Sequence, residues 1–195
     1  MNHKEAVIII DMQNGFIDPA SPLCVAGAQA AVPVCAAVMN AARTTGRMTV
    51  YMNRSYRDDG TDVERTRYAV WNSGGRPLSP GCPPEISAQN PPALAPQPGD
   101  FVIRKPRFSA FFNTDLDLLL RRRRIKKIYL IGTATPNCIR TTCYDGLSLD
   151  YEVTIIEDAC SSATPEIQQS NIDDMRRIGA EIISADTAIH RWTDD

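Results

Sequence analysis

The chain has 195 residues with a formal net charge of −2, and 43% of the residues are hydrophobic, which is typical of one domain with a sizeable core. This near-neutral charge gives no electrostatic reason to expect binding to nucleic acid or to a membrane surface. No apolar stretch approaches membrane-spanning length and the N-terminus has no signal-peptide hydrophobic region, so we expect a cytoplasmic protein.

The six cysteines and two histidines restrict the chemistry of the chain. No two cysteines form a C-x-x-C pair, which favours free cytosolic thiols over a disulfide framework. His3 and His190 stand at opposite ends of the chain, so the sequence offers too few histidines for a histidine-based metal site and gives little support for a Cys–His dyad. Nucleotide-binding glycine motifs are also absent, which argues against dinucleotides and nucleoside triphosphates. We therefore expect neither a metal nor another cofactor.

The chain begins with a continuous apolar run, residues 6–10, that ends in Asp11. Such a run predicts a central parallel strand with a carboxylate at its carboxyl end. The simpler alternative is that Asp11 is a turn or helix-capping residue. A turn-rich loop, an Ala/Val-rich helix and a second strand are predicted next, at 12–22, 28–46 and 48–53.

A polar and charged segment with interleaved aromatic side chains follows, at 54–71. Its arginines and aromatics could line a pocket for a polar planar substrate. A solvated surface loop and helix would explain the same composition. The candidate residues are Arg54, Arg57, Arg65, Tyr68 and Trp71.

Residues 76–99 contain eight of the fourteen prolines. They show neither helical nor strand periodicity, and the segment is long for a loop inside a compact domain. We interpret it as an ordered surface wrap or an inter-subunit element. A linker is the alternative, but the strand pattern resumes after it, which favours one domain over residues 1–195.

The third strand is predicted at 100–105 and ends in Lys105. Pro106 excludes a helical continuation and holds Lys105 in extended geometry. The ordinary alternative for Lys105 is an exposed charge at a strand end. An aromatic loop and a leucine-faced helix are predicted next, at 108–112 and 115–123.

The most informative stretch is the strand 127–131 followed by Gly132, after which the pattern changes from strand to helix. Thr135 is predicted to cap the helix, with Pro136 at the first helical position. Cys138 then lies in the first helical turn at the carboxyl edge of the sheet, where free N–H groups and the helix dipole favour a thiolate. The commoner fate of a free cysteine is that of a small buried hydrophobe.

The remaining pattern completes an alternation of strands and helices, which predicts a parallel three-layer α/β/α domain. Its last elements are a strand at 151–156, a helix at 165–179 and a strand at 180–184. Asp11, Lys105 and Cys138 each lie at the carboxyl end of a different strand, and such ends can converge on one cleft. A carboxylate can accept the thiol proton there, and an ammonium group stabilises both anions.

Three motifs in this order resemble the isochorismatase-like cysteine hydrolases, which include nicotinamidases, N-carbamoylsarcosine amidases and ureidoacrylate amidohydrolases. The resemblance runs from about Ala6 to Asp186. The motifs are the first strand with Asp11-Met12-Gln13, Lys105-Pro106-Arg107-Phe108-Ser109-Ala110-Phe111, and Gly132-Thr133-Ala134-Thr135-Pro136-Asn137-Cys138.

The resemblance implies a six-stranded parallel, Rossmann-like sheet and a catalytic triad of Asp11, Lys105 and Cys138. It also implies a cis peptide before Ala134 and an oxyanion hole formed by the backbone N–H groups of Ala134 and Cys138. The implied oligomer is a homodimer or homotetramer, and the implied partner is a small-molecule substrate. Plausible substrate-contacting residues are Asn14, Phe16, Tyr68, Trp71 and Phe108.

One departure from the family's motifs restricts the range of reactions that we expect of this chain. Metal-containing nicotinamidases carry an Asp-x-His motif after the second strand, where this chain reads Tyr51-Met52-Asn53-Arg54-Ser55-Tyr56. The stretch 56–64 is instead similar to relatives that act on ureido and carbamoyl compounds. We therefore expect a metal-free, cysteine-dependent amidohydrolase that cleaves a C–N bond of a small amide or ureido compound through a thioester.

Two other functions remain open. Some relatives hydrolyse the vinyl ether of isochorismate, a reaction that needs general-acid protonation rather than a thiolate, and the presence of Cys138 counts against it. The chain could also be a non-catalytic binding or assembly member of the family, which an intact triad disfavours.

Overall fold

The computed structural model describes residues 4–194, and His3 lies outside this range. A six-stranded sheet forms the centre of the described chain. Its strands, β1 to β6, are Glu5–Ile10, Met48–Arg54, Phe101–Lys105, Lys127–Thr133, Glu152–Ser161 and Glu181–Ile183. Neighbouring strands all pair in parallel, in the order β3-β2-β1-β4-β5-β6. The order reverses direction between β1 and β4, which makes this the topological switch point.

Helices cover both faces of the sheet. Helices α1 to α7 are Asn14–Ile17, Ala28–Thr44, Tyr68–Ser73, Leu116–Arg122, Arg140–Ser148, Pro165–Arg177 and Ala185–Thr193. Buried side chains of α4, α5 and α6 pack on one face, and those of α2 and α7 pack on the other. Along β1 the side chains alternate, so that Ile8 faces the first core and Ile9 the second. This arrangement confirms the predicted three-layer α/β/α fold.

The structure differs from the sequence prediction in three elements. Strand β5 continues to Ser161, beyond the predicted end at residue 156, after a shift of its pairing register with β4. Helix α7 follows the last strand and was not predicted. Thr135 does not cap the helix after β4: it begins a π-helical turn, Thr135–Ile139, and its hydroxyl donates to the Ser161 carbonyl over 3.1 Å.

Residues 76–99 run along the loop that follows β1. Two short 3-10 helices, Pro84–Ile86 and Pro92–Leu94, lie within this segment. The Gln13 side chain donates to the Ala88 carbonyl over 2.6 Å, and the Asn90 side chain donates to the Met12 carbonyl over 2.7 Å. The wrap therefore supports the backbone that carries Asp11.

No helix in residues 4–194 is long and apolar enough to cross a membrane.

Gly132 allows β4 to pass close to β1 at the switch point. Its φ is +115°, and a Cβ added there would overlap the carbonyl oxygen of Ile10. We expect Gly132→Ala to lower the free energy of unfolding by about 3 kcal/mol or more, since the substitution adds a steric overlap to an unfavourable backbone conformation. Denaturant unfolding followed by circular dichroism measures this loss.

Gly99→Ala is the matched control because Gly99 has a φ of +102°, yet no atom lies within 4 Å of the position that an added Cβ would take. It should lose only about 1–2 kcal/mol, the penalty of the left-handed backbone alone. Equal losses in the two variants would contradict the role given to the approach between β1 and β4.

Candidate active site

Three buried side chains meet at the carboxyl edge of the sheet, beside the switch point. Asp11 directly follows β1, Lys105 is the last residue of β3, and Cys138 lies in the π-helical turn after β4. Their exposed fractions are 1%, 0% and 3%. In open α/β sheets this edge is where ligands bind.

Asp11 and Lys105 form a buried ion pair. The distance from Lys105 Nζ to Asp11 Oδ2 is 2.7 Å, and Nζ also donates to the carbonyls of Arg107 and Phe108 over 2.9 and 3.2 Å. Asp11 has a φ of +54°, and its N–H donates to the Met52 carbonyl over 3.0 Å. The Asp11 carboxylate is thus held by Lys105 and interacts with the Cys138 thiol, so it is placed to take the proton of that thiol.

The surroundings of Cys138 favour the protonated thiol over the thiolate. Burial and the Asp11 charge raise its pKa above the ordinary value of 9.0, and the positive charges of Lys105 and Arg54 only partly oppose this. The position at a helix start alone favoured a thiolate, but burial outweighs that effect. A base is therefore needed to ionise Cys138, and Asp11 is the carboxylate beside it.

Arg54, at the end of β2, supplies a second cation. It is fully buried, and its Nη2 lies 3.8 Å from Cys138 Sγ. Its Nη1 is bound to the Glu64 carboxylate and to the Tyr56 hydroxyl, and the Tyr56 hydroxyl donates to Glu64 Oε2 over 2.6 Å. Burial raises the pKa of Glu64, but Arg54 and the Tyr56 hydrogen bond outweigh it and hold that pKa below its ordinary value. This salt bridge keeps Arg54 charged and in place.

A small cavity opens beside Cys138. Its volume is about 200 Å³, below the range usual for sites of drug-sized ligands. Asp11 and Arg67 are the charged side chains among its lining residues. The lining consists of Asp11, Phe16, Pro22, Leu23, Cys24, Val25, Arg67, Thr133, Ala134, Asn137 and Cys138. The Thr133–Ala134 peptide is cis, as the resemblance implied.

Of the five residues predicted to contact a substrate, Phe16 lines this cavity and the other four do not. The ring of Phe108 lies 5.2 Å from the Arg54 guanidinium. Asn14 donates to Pro84 and Ser87 of the wrap, and the indole N–H of the buried Trp71 donates to the Pro77 carbonyl. Tyr68 is exposed and packs on Trp71.

Sequence reasoning did not single out Glu64 or Arg67. It named Arg54 as a candidate pocket residue together with Arg57 and Arg65, with a solvated loop as the alternative, and of these three only Arg54 is buried. For Arg54 a signal was present, because it ends an apolar strand in the same way as Asp11 and Lys105. Arg67 lies in an irregular turn, where no periodicity distinguishes a cavity-facing arginine from the exposed Arg65.

The residues at the end of β2 do not fit a metal ion. The place where metal-containing relatives carry Asp-x-His holds the Arg54 guanidinium, a cation already bound to Glu64. No three His, Cys, Asp or Glu side chains between residues 4 and 194 form a group that could hold a metal. His190 lies on α7 and is exposed.

Comparison with known proteins finds one family along nearly the whole chain. Residues 5–187 match the model of the Isochorismatase domain. An Arabidopsis thaliana protein named probable inactive nicotinamidase is 36% identical over 97% of this chain and 95% of its own length. The ureidoacrylate amidohydrolase of Azorhizobium caulinodans is 32% identical, with 92% of each chain covered. The crystal structure of a Desulfovibrio vulgaris isochorismatase family protein superposes with a TM-score of 0.89 at 41% identity, covering 98% of this chain and 99% of that chain.

Proposed function

The chain belongs to the isochorismatase family, whose members include amidohydrolases, and we propose that it is a cysteine-dependent hydrolase of small amides or ureido and carbamoyl compounds. The bond cleaved is a non-peptide C–N bond, and the reaction proceeds through a thioester on Cys138. One relative is named probable inactive nicotinamidase, so catalytic activity of this chain is itself part of the proposal.

One observation carries the proposal. The buried Cys138 side chain lies beside a carboxylate that is itself held by an ammonium group 2.7 Å away, at the mouth of a small cavity. A nucleophile next to a base that a third group orients is the arrangement that covalent catalysis requires. A purely structural cysteine needs neither the buried carboxylate nor the buried lysine.

In the first half of the reaction Asp11 takes the proton from Cys138 Sγ, and the thiolate attacks the carbonyl carbon of the substrate. The Sγ–C bond forms, and the carbonyl electron pair moves to oxygen. The backbone N–H groups of Ala134 and Cys138 are the proposed donors to that oxyanion, and one such donor contributes about 3–4 kcal/mol. Asp11 then returns its proton to the nitrogen as the C–N bond breaks, which releases ammonia or an amine.

In the second half water hydrolyses the thioester. Asp11 is again the base, and it removes a proton from the attacking water. The collapsing intermediate releases the acid, and the Cys138 thiol is restored with the proton that Asp11 holds. Lys105 positions Asp11 throughout and stabilises its negative charge, and Arg54 contributes a second positive charge beside Sγ.

Similarity directs the choice of substrates. The relative from Azorhizobium caulinodans is a ureidoacrylate amidohydrolase. Tyr56 and Glu64, which bind Arg54, lie at the two ends of the stretch 56–64 that is similar to relatives acting on ureido and carbamoyl compounds. We expect ammonia release from one or more members of a panel of nicotinamide, N-carbamoyl amino acids, biuret and maleamate, with the ureido compounds as the best substrates. A coupled ammonia assay measures it, repeated after iodoacetamide treatment and with a chelator.

Each outcome of this assay decides between functions. Release that iodoacetamide stops and a chelator leaves unchanged supports a metal-free cysteine amidohydrolase. Silence across the panel favours the vinyl-ether hydrolase or the non-catalytic member of the family. Chelator-sensitive release would contradict the assignment of a metal-free site.

Three further predictions concern the domain organisation, the oligomeric state and the location of the protein. We propose one functional domain over residues 1–195, a homodimer or homotetramer, and a cytoplasmic location.

A further inference from the structure

Arg67 is a cation that lines the cavity, and within residues 4–194 only the Glu64 carboxylate, which Arg54 already binds, is shown to interact with its charge. It lines the cavity next to the nucleophile, and no carboxylate among residues 4–194 lies within ion-pairing distance of it. Its Nη1 is buried and has no hydrogen-bond partner within the described chain. Leaving a buried donor unsatisfied is unfavourable, so a position of this kind is suited to a ligand that satisfies it.

The guanidinium of Arg67 is nevertheless held in place. Its Cζ lies 4.9 Å from the centre of the Phe108 ring, within the range of a cation–π contact. The backbone N–H of Arg67 donates to the backbone carbonyl of Glu64 over 2.8 Å, and the Glu64 side chain is bound by Arg54. A guanidinium oriented in this way is ready to bind a planar anion through two parallel hydrogen bonds.

The charges around the cavity show what kind of group is missing. Arg54, Lys105 and Arg67 are cations, whereas Asp11 and Glu64 are the carboxylates, and each carboxylate is already paired with one of the other two cations. Moving a proton from Cys138 to Asp11 leaves this total unchanged. Among these five groups one positive charge is therefore in excess. Arg67 shares Glu64 electrostatically with Arg54 but forms no ion pair of its own.

We propose that Arg67 binds a carboxylate of the substrate, so that the compound cleaved at Cys138 is an anionic amide or ureido acid rather than a neutral amide. This inference rests on the proposed function. Arg67 is then a specificity-determining residue, and neutral compounds such as nicotinamide and biuret lack the group that it binds.

The test compares two alkylating agents that differ in charge. Iodoacetate and iodoacetamide form the same kind of thioether with Cys138, and peptide mass mapping separates that product from alkylated Cys24. We expect Arg67→Met to lower the ratio of the iodoacetate to the iodoacetamide rate about tenfold or more, the effect of losing one charged hydrogen-bonding partner. The iodoacetamide rate itself should change less than about twofold if the variant retains its fold.

Arg65→Met is the matched control. Arg65 is exposed, lies two residues away and does not line the cavity, yet its loss changes the net charge equally. It should leave the ratio unchanged, and Arg67→Lys should keep part of the preference. An unchanged ratio in Arg67→Met, or an equal fall in Arg65→Met, would overturn the inference.

A substrate pair extends the test to turnover. Replacing N-carbamoylglycine by its neutral amide should raise KM about tenfold in the wild type and leave it nearly unchanged in Arg67→Met. If the wild type preferred the neutral compound, the inference would be overturned. If the wild type cleaved neither compound of the pair nor any member of the substrate panel, the proposed hydrolase function would fail, and the alkylation ratio would still decide whether Arg67 binds anions.

Discussion

Cys138→Ser is expected to lower kcat on the order of 10⁴-fold or more against whichever amide or ureide the wild type cleaves, because it removes the nucleophile. Serine is close in size to cysteine, so the variant should keep the fold and bind substrate with a similar KM. Its hydroxyl has a far higher pKa than a thiol, and a carboxylate base cannot ionise it to a useful extent. Steady-state ammonia release measures the loss. Mass spectrometry should show an acyl group on the Cys138 peptide of the wild type and none on the corresponding peptide of the variant.

Cys143→Ala provides the control from the same part of the structure. Cys143 is fully buried in the core, it does not line the cavity, and burial raises the pKa of its thiol to about 12. Its loss should lower stability by about 1–2 kcal/mol and leave kcat unchanged. Undiminished turnover by Cys138→Ser would rule out the proposed mechanism, whatever the control does.

The positions of Asp11, Lys105 and Cys138 follow from sequence because local patterns determine them. An apolar run identifies a buried strand, and the first polar residue after it must lie at the carboxyl edge. A strand-to-helix change places Cys138 in a first helical turn in the same way. Which strands are neighbours cannot be read from such runs, so the contact between the end of β3 and the end of β1 required the resemblance or the structure.

The protonation state of Cys138 could not be predicted in this way. The helix start favours the thiolate, whereas burial and the Asp11 charge favour the thiol, and the balance depends on how many atoms surround the sulfur. Burial of that degree comes from the packing of distant segments against one another. The sequence shows only the local effect of the helix start, and the opposing desolvation of the sulfur becomes evident from the packing in the structure.

Arg54 and Arg67 show a second limit of sequence reasoning. Both lie in a segment of mixed charge, where arginines usually face solvent. One of them is fully buried against Cys138 and Glu64, and the other lines the cavity. Arg54 and Arg67 differ from Arg57 and Arg65 only through the long-range packing of Phe108 and β2. The charge of the cavity could therefore be determined only from the structure.

The buried pair of Lys105 and Asp11 gives the second large effect. Lys105→Met removes the cation but keeps an apolar stem of similar length, which leaves the Asp11 carboxylate buried without its partner. We expect a loss of about 3–5 kcal/mol in the free energy of unfolding, and a similar loss for Asp11→Asn, which leaves the ammonium unpaired. Arg54 also acts electrostatically on Asp11, so the loss in Lys105→Met should lie toward the lower end. Both variants should lose activity by about 10³-fold or more, since one removes the base and the other its positioning group.

The double variant Asp11→Asn/Lys105→Met separates stability from catalysis. Because no buried charge is left unpaired, it should regain most of the stability that either single variant loses, as replaced ion pairs often do. Activity should stay at the level of the single variants, because the base is still missing.

Arg121→Met is the control: its ion pair with Asp117 is exposed, and its loss should change stability by less than about 1 kcal/mol. A double variant as unstable as the sum of its parts would show that the two groups do not act as a pair. Recovery of kcat together with stability would show that Asp11 holds the fold and is not the base, since only a structural role can be replaced by a neutral amide.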